Sequence, residues 1–271
     1  MLKKDEEALD RLVEDVLGSA KYRGVCPELI RGIGSQELAK RRNTKEALKS
    51  TKNKLHQIGG VYFAERADYA SWLDNLAGVA HKDDRAELQR VCREIMAHHA
   101  STRERLPILD QFYHTILADL APIHSVLDIA CGLNPLALPW LPLAEDATYN
   151  ACDIFVPLVD FLNNYLQLMH IQGQAETRDV TQSCPTQQVD LALLLKVIPC
   201  LEQIDKQAGY RLLHTLNART LVVSFPVHSL GGKSKGMAAY YEAHFRELVA
   251  DTGWEVRTFE FATELVFVAR K

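Results

Sequence analysis

The chain has 271 residues, 47% of them hydrophobic and 24% charged, with a formal net charge of −4, enough apolar material to bury a full core in one large domain or two modest ones. No stretch approaches the roughly 18 to 20 apolar residues of a membrane span, and the opening MLKKDEEALDRLVEDVL lacks the apolar segment of a signal peptide, so a cytoplasmic protein with no membrane partner is expected. The six cysteines stand singly with no CxxC pair, which speaks against a disulfide framework or a metal site and predicts reduced, mostly buried thiols.

Up to about residue 100 the apolar spacing is helical. Leu9, Leu12, Val13, Val16 and Leu17 make one stripe, Leu48, Leu55 and Ile58 a second, and Trp72, Leu73 and Leu76 a third. Between Lys21 and Lys54 ten basic residues face three acidic ones. Such an excess fits either a solvated helix face or a docking surface for a polyanion. The segment STRERLPILDQFYHTILADL reads as a helical bridge. Beyond it, short β-rich runs alternate with helical ones: SVLDIA, ATYNACDI, helical VPLVDFLNNYLQLMH, QAETRDV, VDLALLLKV, helical KQAGYRLLHTLN, RTLVVSF, a helix from about Met237, then WEVRTFEF and TELVFVAR. This alternation predicts a doubly wound α/β sheet, with the last two strands paired antiparallel. The expected division is a helical domain over 1–100 and an α/β domain over 101–271.

In such a sheet, ligands bind beyond the carboxyl ends of the strands. Asp128 and Gly132 close the first strand in LDIACGLNP, and Asp153 closes the second about 20 residues later, the spacing at which an acid meets ribose hydroxyls. One glycine in place of GxGxxG leaves little room for a pyrophosphate. A nucleoside without phosphates fits better, and S-adenosyl-L-methionine is the common ligand of that kind. Asp128 also fits a loop-bracing carboxylate. Lysines and glycines in SFPVHSLGGKSKGM suit a phosphate contact or, equally, a surface crossover. Phe225 and Tyr240 are the candidates to stack on an extruded base, with core packing as the alternative for Phe225.

HHASTRERLPILDQFY, VLDIACGLNPLALP, CDI, LALLLKVIPCLE, VVSFPVHSLGGKSKGM and the closing TELVFVAR together resemble the aminoglycoside-resistance 16S ribosomal RNA (guanine-N7) methyltransferases. The match runs from about residue 21 to the last strand. The resemblance implies a Rossmann-like methyltransferase sheet behind an all-helical N-terminal domain. It implies methylation of a decoding-site guanine in the small (30S) ribosomal subunit, with S-adenosyl-L-homocysteine as product. Carried over residue by residue, it assigns the cofactor to Tyr62, to Thr102, Arg103, Glu104 and Arg105, to Ala130, Gly132 and Asp153, to Arg178, Asp179 and Val180, to Leu195, and to Gln203 or Gln207, the latter preferred. Arg105 suits the cofactor's carboxylate, a guanidinium fork gripping such a group bidentately; its alternative is a surface salt bridge, for instance with Asp110. Lys49, Lys52, Lys54, Ser229, Lys233, Lys235 and Met237 are the expected RNA contacts. Guanine N7 carries a lone pair and no proton, so no general base is expected and His98, His99, His114 and His228 need no catalytic role. Two other classes remain open: a methyltransferase of another RNA site or a small molecule, and an RNA-binding protein with an inactive cofactor fold.

Overall fold

A computed structural model describes residues 3–60, 67–80, 84–228 and 236–271. Helices α1 (Lys3–Leu17), α2 (Pro27–Lys40) and α3 (Thr44–Leu55) come first, followed by a π-helical turn, His56–Gly60. Proline begins α2, where its missing N–H costs nothing, and Asn43 caps α3 by accepting from the Glu46 N–H at 2.9 Å. These helices enclose their own core of Leu9, Leu12, Val16, Leu29, Ile30, Ile33 and Leu55.

Helices α4 (Tyr69–Ala80) and α5 (Arg85–Met96), capped by Asp84, behave differently. Trp72, Leu76, Cys92 and Ile95 belong to the same apolar cluster as Val126, Leu191, Leu193 and Val222 of the sheet. The apolar clusters therefore change over near residue 60, between the π turn and α4. The bridge folds as α6 (Ala100–Arg105), a 3₁₀ turn, and α7 (Leu109–Ile116).

The remainder alternates: β1 (Ile123–Ile129), β2 (Leu143–Asp153), α8 (Val156–Leu168), β3 (Ala175–Thr177), β4 (Val189–Leu195), α9 (Ile198–Leu201), α10 (Ala208–Thr215), β5 (Ala218–Pro226), α11 (Met237–Leu248), β6 (Glu255–Glu260) and β7 (Glu264–Arg270). The seven strands lie in the order β3-β2-β1-β4-β5-β7-β6. The first five pair in parallel, and β7 runs antiparallel to both β5 and β6. Alternate residues of each strand feed two cores. Val126, Leu193 and Val222 face α4, α7 and α8, while Leu127, Leu194, Val223 and Phe267 face α10 and α11 through Leu212, Leu213 and Phe245. Strand order reverses between β1 and β4, and there a doubly wound sheet opens a crevice. All six cysteines are free, and four of them are buried. Among the described residues, no helix is long and apolar enough to cross a membrane, and no cluster of His, Cys, Asp or Glu is disposed to hold a metal ion.

Candidate functional site

A cavity opens where β1, β2 and β4 end, and α2 with the π turn forms its far wall through Leu29, Ile58 and Gly59. Backbone hydrogen bonds tie that wall down: Cys26 N donates to Ile154 O at 2.7 Å, and Val156 N to Gly24 O at 2.8 Å.

The end of β1 is built tightly. Ala130 (φ +49°) and Gly132 (φ +52°) both adopt left-handed backbone, so the chain reverses within three residues. At Gly132 a Cβ would fall 2.6 Å from Cε1 of His99, which only glycine avoids. The Gly132 N–H donates to Asp153 Oδ2 at 2.9 Å, while Asp153 Oδ1 accepts from Ile154 N at 2.7 Å and Phe155 N at 3.2 Å. Asp153 thus fastens the β1 loop to the end of β2, and it also lines the cavity. Burial pushes its carboxyl above the ordinary range, against the pull of these three backbone donors.

Asp128 is buried and braced on one side only. Its Oδ2 accepts from the Tyr149 hydroxyl at 2.6 Å and from Asn134 Nδ2 at 2.8 Å. Its Oδ1 has no partner. Burial raises its pKa to about 6, although those donors and Arg105 pull downward. Asp179, across the cavity, repeats the pattern. Oδ1 accepts from the Thr181 N–H at 2.9 Å and hydroxyl at 2.6 Å, whereas Oδ2 is buried without a partner.

Arg105 is fully buried, and its ion partner is Glu264, not Asp110, the surface partner offered as the alternative to a cofactor role. Nε lies 2.8 Å from Glu264 Oε1, Nη2 donates to Oε2 at 3.1 Å, and Nη1 donates to Asn134 Oδ1 at 2.9 Å. Asp110 instead pairs with Arg93. Nη1 and Nη2 therefore each make one hydrogen bond and keep a second N–H, while Nε meets Glu264 as an ion contact only. Lys196 lines the same cavity, with Nζ 2.7 Å from Glu104 Oε2 and 3.4 Å from Glu264 Oε1.

Of the residues assigned from sequence, Thr102, Arg105, Ala130, Asp153, Arg178, Asp179, Val180 and Leu195 line the cavity, and Gly132 lies directly behind Asp153. Glu104 stands behind Lys196. Arg103 is exposed and donates to Ala97 O, and Gln203 and Gln207 are exposed between α9 and α10. Leu201 and Ile204 occupy the wall expected of that glutamine. Tyr62, Ser229, Lys233 and Lys235 lie outside the described residues; Met237 opens α11, half-buried. Lys49 is exposed, but Lys52 donates to Ser19 Oγ at 2.6 Å and Lys54 pairs at 2.9 Å with the buried Glu37, so both are turned to internal partners. Phe225 is buried, stacked on Tyr241 at 4.8 Å, and belongs to the core, whereas Tyr240 is 64% exposed.

Sequence reading missed Asn134, Lys196 and Glu264 as site residues. The available signal was a single charge at the edge of a wholly apolar run, Lys196 after LALLL and Glu264 before LVFVA. His99 forms part of the wall as a neutral ring, its pKa lowered to about 3 by burial and by the nearby Arg105, Arg103 and Lys196.

The Ribosomal RNA methyltransferase (FmrO) family matches residues 18–268. The chain belongs to that family. It is 38% identical over 269 residues to a Frankia casuarinae protein named 16S rRNA (guanine(1405)-N(7))-methyltransferase, covering 98% of this chain and 95% of the relative. A Serratia marcescens protein of the same name is 34% identical, with 94% and 96% covered. Among solved structures, the 16S rRNA methyltransferase RmtF in complex with S-adenosyl-L-homocysteine superposes with a TM-score of 0.81 at 33% identity, covering 100% of this chain and 99% of that one. The 16S rRNA methylase RmtB gives 0.77 at 29%, with 97% and 98% covered. This family member thus matches the two relatives named for that activity over 98% and 94% of its length.

Proposed function

We propose that this methyltransferase transfers a methyl group from S-adenosyl-L-methionine to N7 of the guanine its relatives are named for, position 1405 of 16S rRNA, within the small ribosomal subunit, and thereby confers aminoglycoside resistance. The observation that carries the cofactor assignment is the pair of buried, unpartnered carboxylate oxygens, Asp128 Oδ1 and Asp179 Oδ2, on a cavity otherwise walled by Val180, Leu195, Leu201 and Ile204. Buried acceptors demand donors. The cofactor carries an ammonium at one end and the exocyclic amine of adenine at the other, with apolar surface between. Asp128 would hold the ammonium, Asp179 the adenine amine, and Asp153 the ribose hydroxyls through lone pairs its backbone donors leave open. Arg105 keeps two donors for the carboxylate.

When bound, the cofactor supplies an electrophilic methyl on a sulfonium. The chain supplies position and exclusion of water. Guanine N7 has no proton to remove, so neutral His99 and salt-bridged Lys196 need not act as bases. The helices before residue 60 serve docking, with exposed Arg42, Lys45 and Lys49 on phosphates. We assign Ser229, Lys233, Lys235 and Met237 to the target strand.

The test is direct. Purified small subunits and labelled cofactor should give N7-methylguanosine at one position, seen as a single strand break after borohydride reduction and aniline. Label incorporated without that break would point to another acceptor atom; label transferred to small molecules with no subunits present would favour a different substrate class.

A further inference from the structure

Lys196 is held as few lysines are. It follows the last residue of β4 with φ +61°, a left-handed conformation that strains a side-chain-bearing residue and persists where the surroundings enforce it. Here they do: its N–H donates to Ser224 O at 3.0 Å on the neighbouring strand, and its ammonium sits between Glu104 at 2.7 Å and Glu264 at 3.4 Å. The side chain is 6% exposed, Glu264 is wholly buried and Glu104 is 31% exposed, so the ammonium lies where the interior gives way to solvent. Position adds to this. Strands β1 and β4 flank the point where strand order reverses, and Lys196 lines the cavity there beside Leu195.

An ammonium has three donors, and two carboxylates take at most two. Because those carboxylates already balance the charge, a third anion would be unwelcome, while a neutral carbonyl oxygen would be accepted. Guanine offers such an oxygen. Its Hoogsteen edge carries two adjacent acceptors, N7 and O6, and only N7 takes the methyl. We infer that Lys196 donates a hydrogen bond to O6 of the target guanine, turning N7 toward the methyl donor and rejecting adenine, whose N6 amine would oppose the ammonium donor to donor. Glu104 and Glu264 have a second consequence: the positive charge that develops on the purine does not face an unbalanced cation. Lys196 is a positioning and specificity residue, and the inference rests on the guanine-N7 reading above.

The experiment uses full-length protein and small subunits reconstituted with 16S RNA carrying either guanine or 2-aminopurine at the target. The second base keeps N7 and lacks O6. Single-turnover methyl transfer to guanine should slow by about ten- to a hundred-fold in Lys196→Met, as expected for loss of a hydrogen bond from a charged donor, with cofactor affinity by calorimetry within about threefold of the parent. On 2-aminopurine the parent should be slowed by a similar factor, and the two proteins should differ by less than about threefold. A Lys196→Met defect of equal size on both bases, or a matching loss of cofactor affinity, would overturn the role in reading O6. Should Lys196→Met not fold, the parent alone decides: equal rates on guanine and 2-aminopurine overturn the inference, slower transfer to 2-aminopurine supports it. No N7 methylation of guanine subunits by the parent would instead sink the guanine-N7 reading itself.

Discussion

Asp153 does two jobs at once, and substitution should reveal both. Its carboxylate accepts three backbone N–H groups besides facing the cavity, so Asp153→Ala should weaken S-adenosyl-L-methionine binding by about 1.5–3 kcal/mol, the range for a hydrogen bond to a charged group, and also lower the melting temperature. Those three donors come into view only once β1 and β2 lie side by side. Calorimetry and thermal melts on one preparation separate the two effects. At Asp128 the expected signal is in pH. With its pKa near 6, the carboxylate facing the cofactor's ammonium becomes neutral below that value, so affinity measured from pH 8 down to pH 5 should hold steady and then fall. The unliganded protein behaves in the opposite sense: a carboxyl raised above its unfolded value of about 3.9 takes stability away as pH rises from about 4 to 6. Asp128→Asn should abolish the affinity step, and its persistence would remove Asp128 from the ammonium site. Arg105→Ala leaves buried Glu264 with Lys196 at 3.4 Å in place of its nearer ion partner, a loss of about 3 kcal/mol, whereas Arg90→Ala, on the exposed face of α5, should change neither melting nor cofactor binding.

At the scale of elements, α2 and α3 are joined by Glu37, 1% exposed and bound to Arg41 at 2.9 Å and Lys54 at 2.9 Å. Burial alone would raise its pKa, but hydrogen bonds from Ser50, Lys54 and Arg41 outweigh it and bring it to about 2. The stability this provides is complete above the unfolded value of about 4.5 and is lost as pH falls toward 2. Hydrogen exchange between pH 5 and pH 2.5 should therefore show α1–α3 opening before the sheet; simultaneous opening would mean that Glu37 does not govern this unit. The same pair dictates how docking is tested. Reversing Lys54 would set a carboxylate against Glu37 and disrupt the helices themselves, so the informative variant is Arg42→Glu/Lys45→Glu/Lys49→Glu, all on exposed positions. It should weaken association with small subunits and flatten the salt dependence, since each lost phosphate contact removes a released counterion, while cofactor affinity stays put. Normal subunit binding at physiological salt would mean that this face is merely solvated. The basic run was legible in the sequence, but which lysines point outward was not, because helical spacing alone does not say which residue lies opposite a buried acid.

For the whole molecule, the cavity draws walls from both sides of the division near residue 60: Leu29, Ile58 and Gly59 from one, and the ends of β1, β2 and β4 from the other. A ligand bound there and absent from the unfolded chain should stabilise both parts together, by about 2.7 kcal/mol at a concentration a hundred times its dissociation constant. Exchange protection by S-adenosyl-L-homocysteine should thus appear in the π turn as well as in the strand ends, and protection confined to the sheet would mean that the helices are only a neighbour. The sequence by itself determined the α/β alternation, the antiparallel closing pair and the two acids that end β1 and β2, because periodicity and turn chemistry are local properties of a short segment. It also carried the family, through motifs that keep their order along the chain. The tertiary structure alone decided that Arg105 meets Glu264, 159 residues away, that α4 and α5 belong to the core of the sheet, and that Lys196 and Asp179 face one cavity. Those facts depend on which strands become neighbours, and a buried charge shows its partner only when the elements carrying both have been packed together.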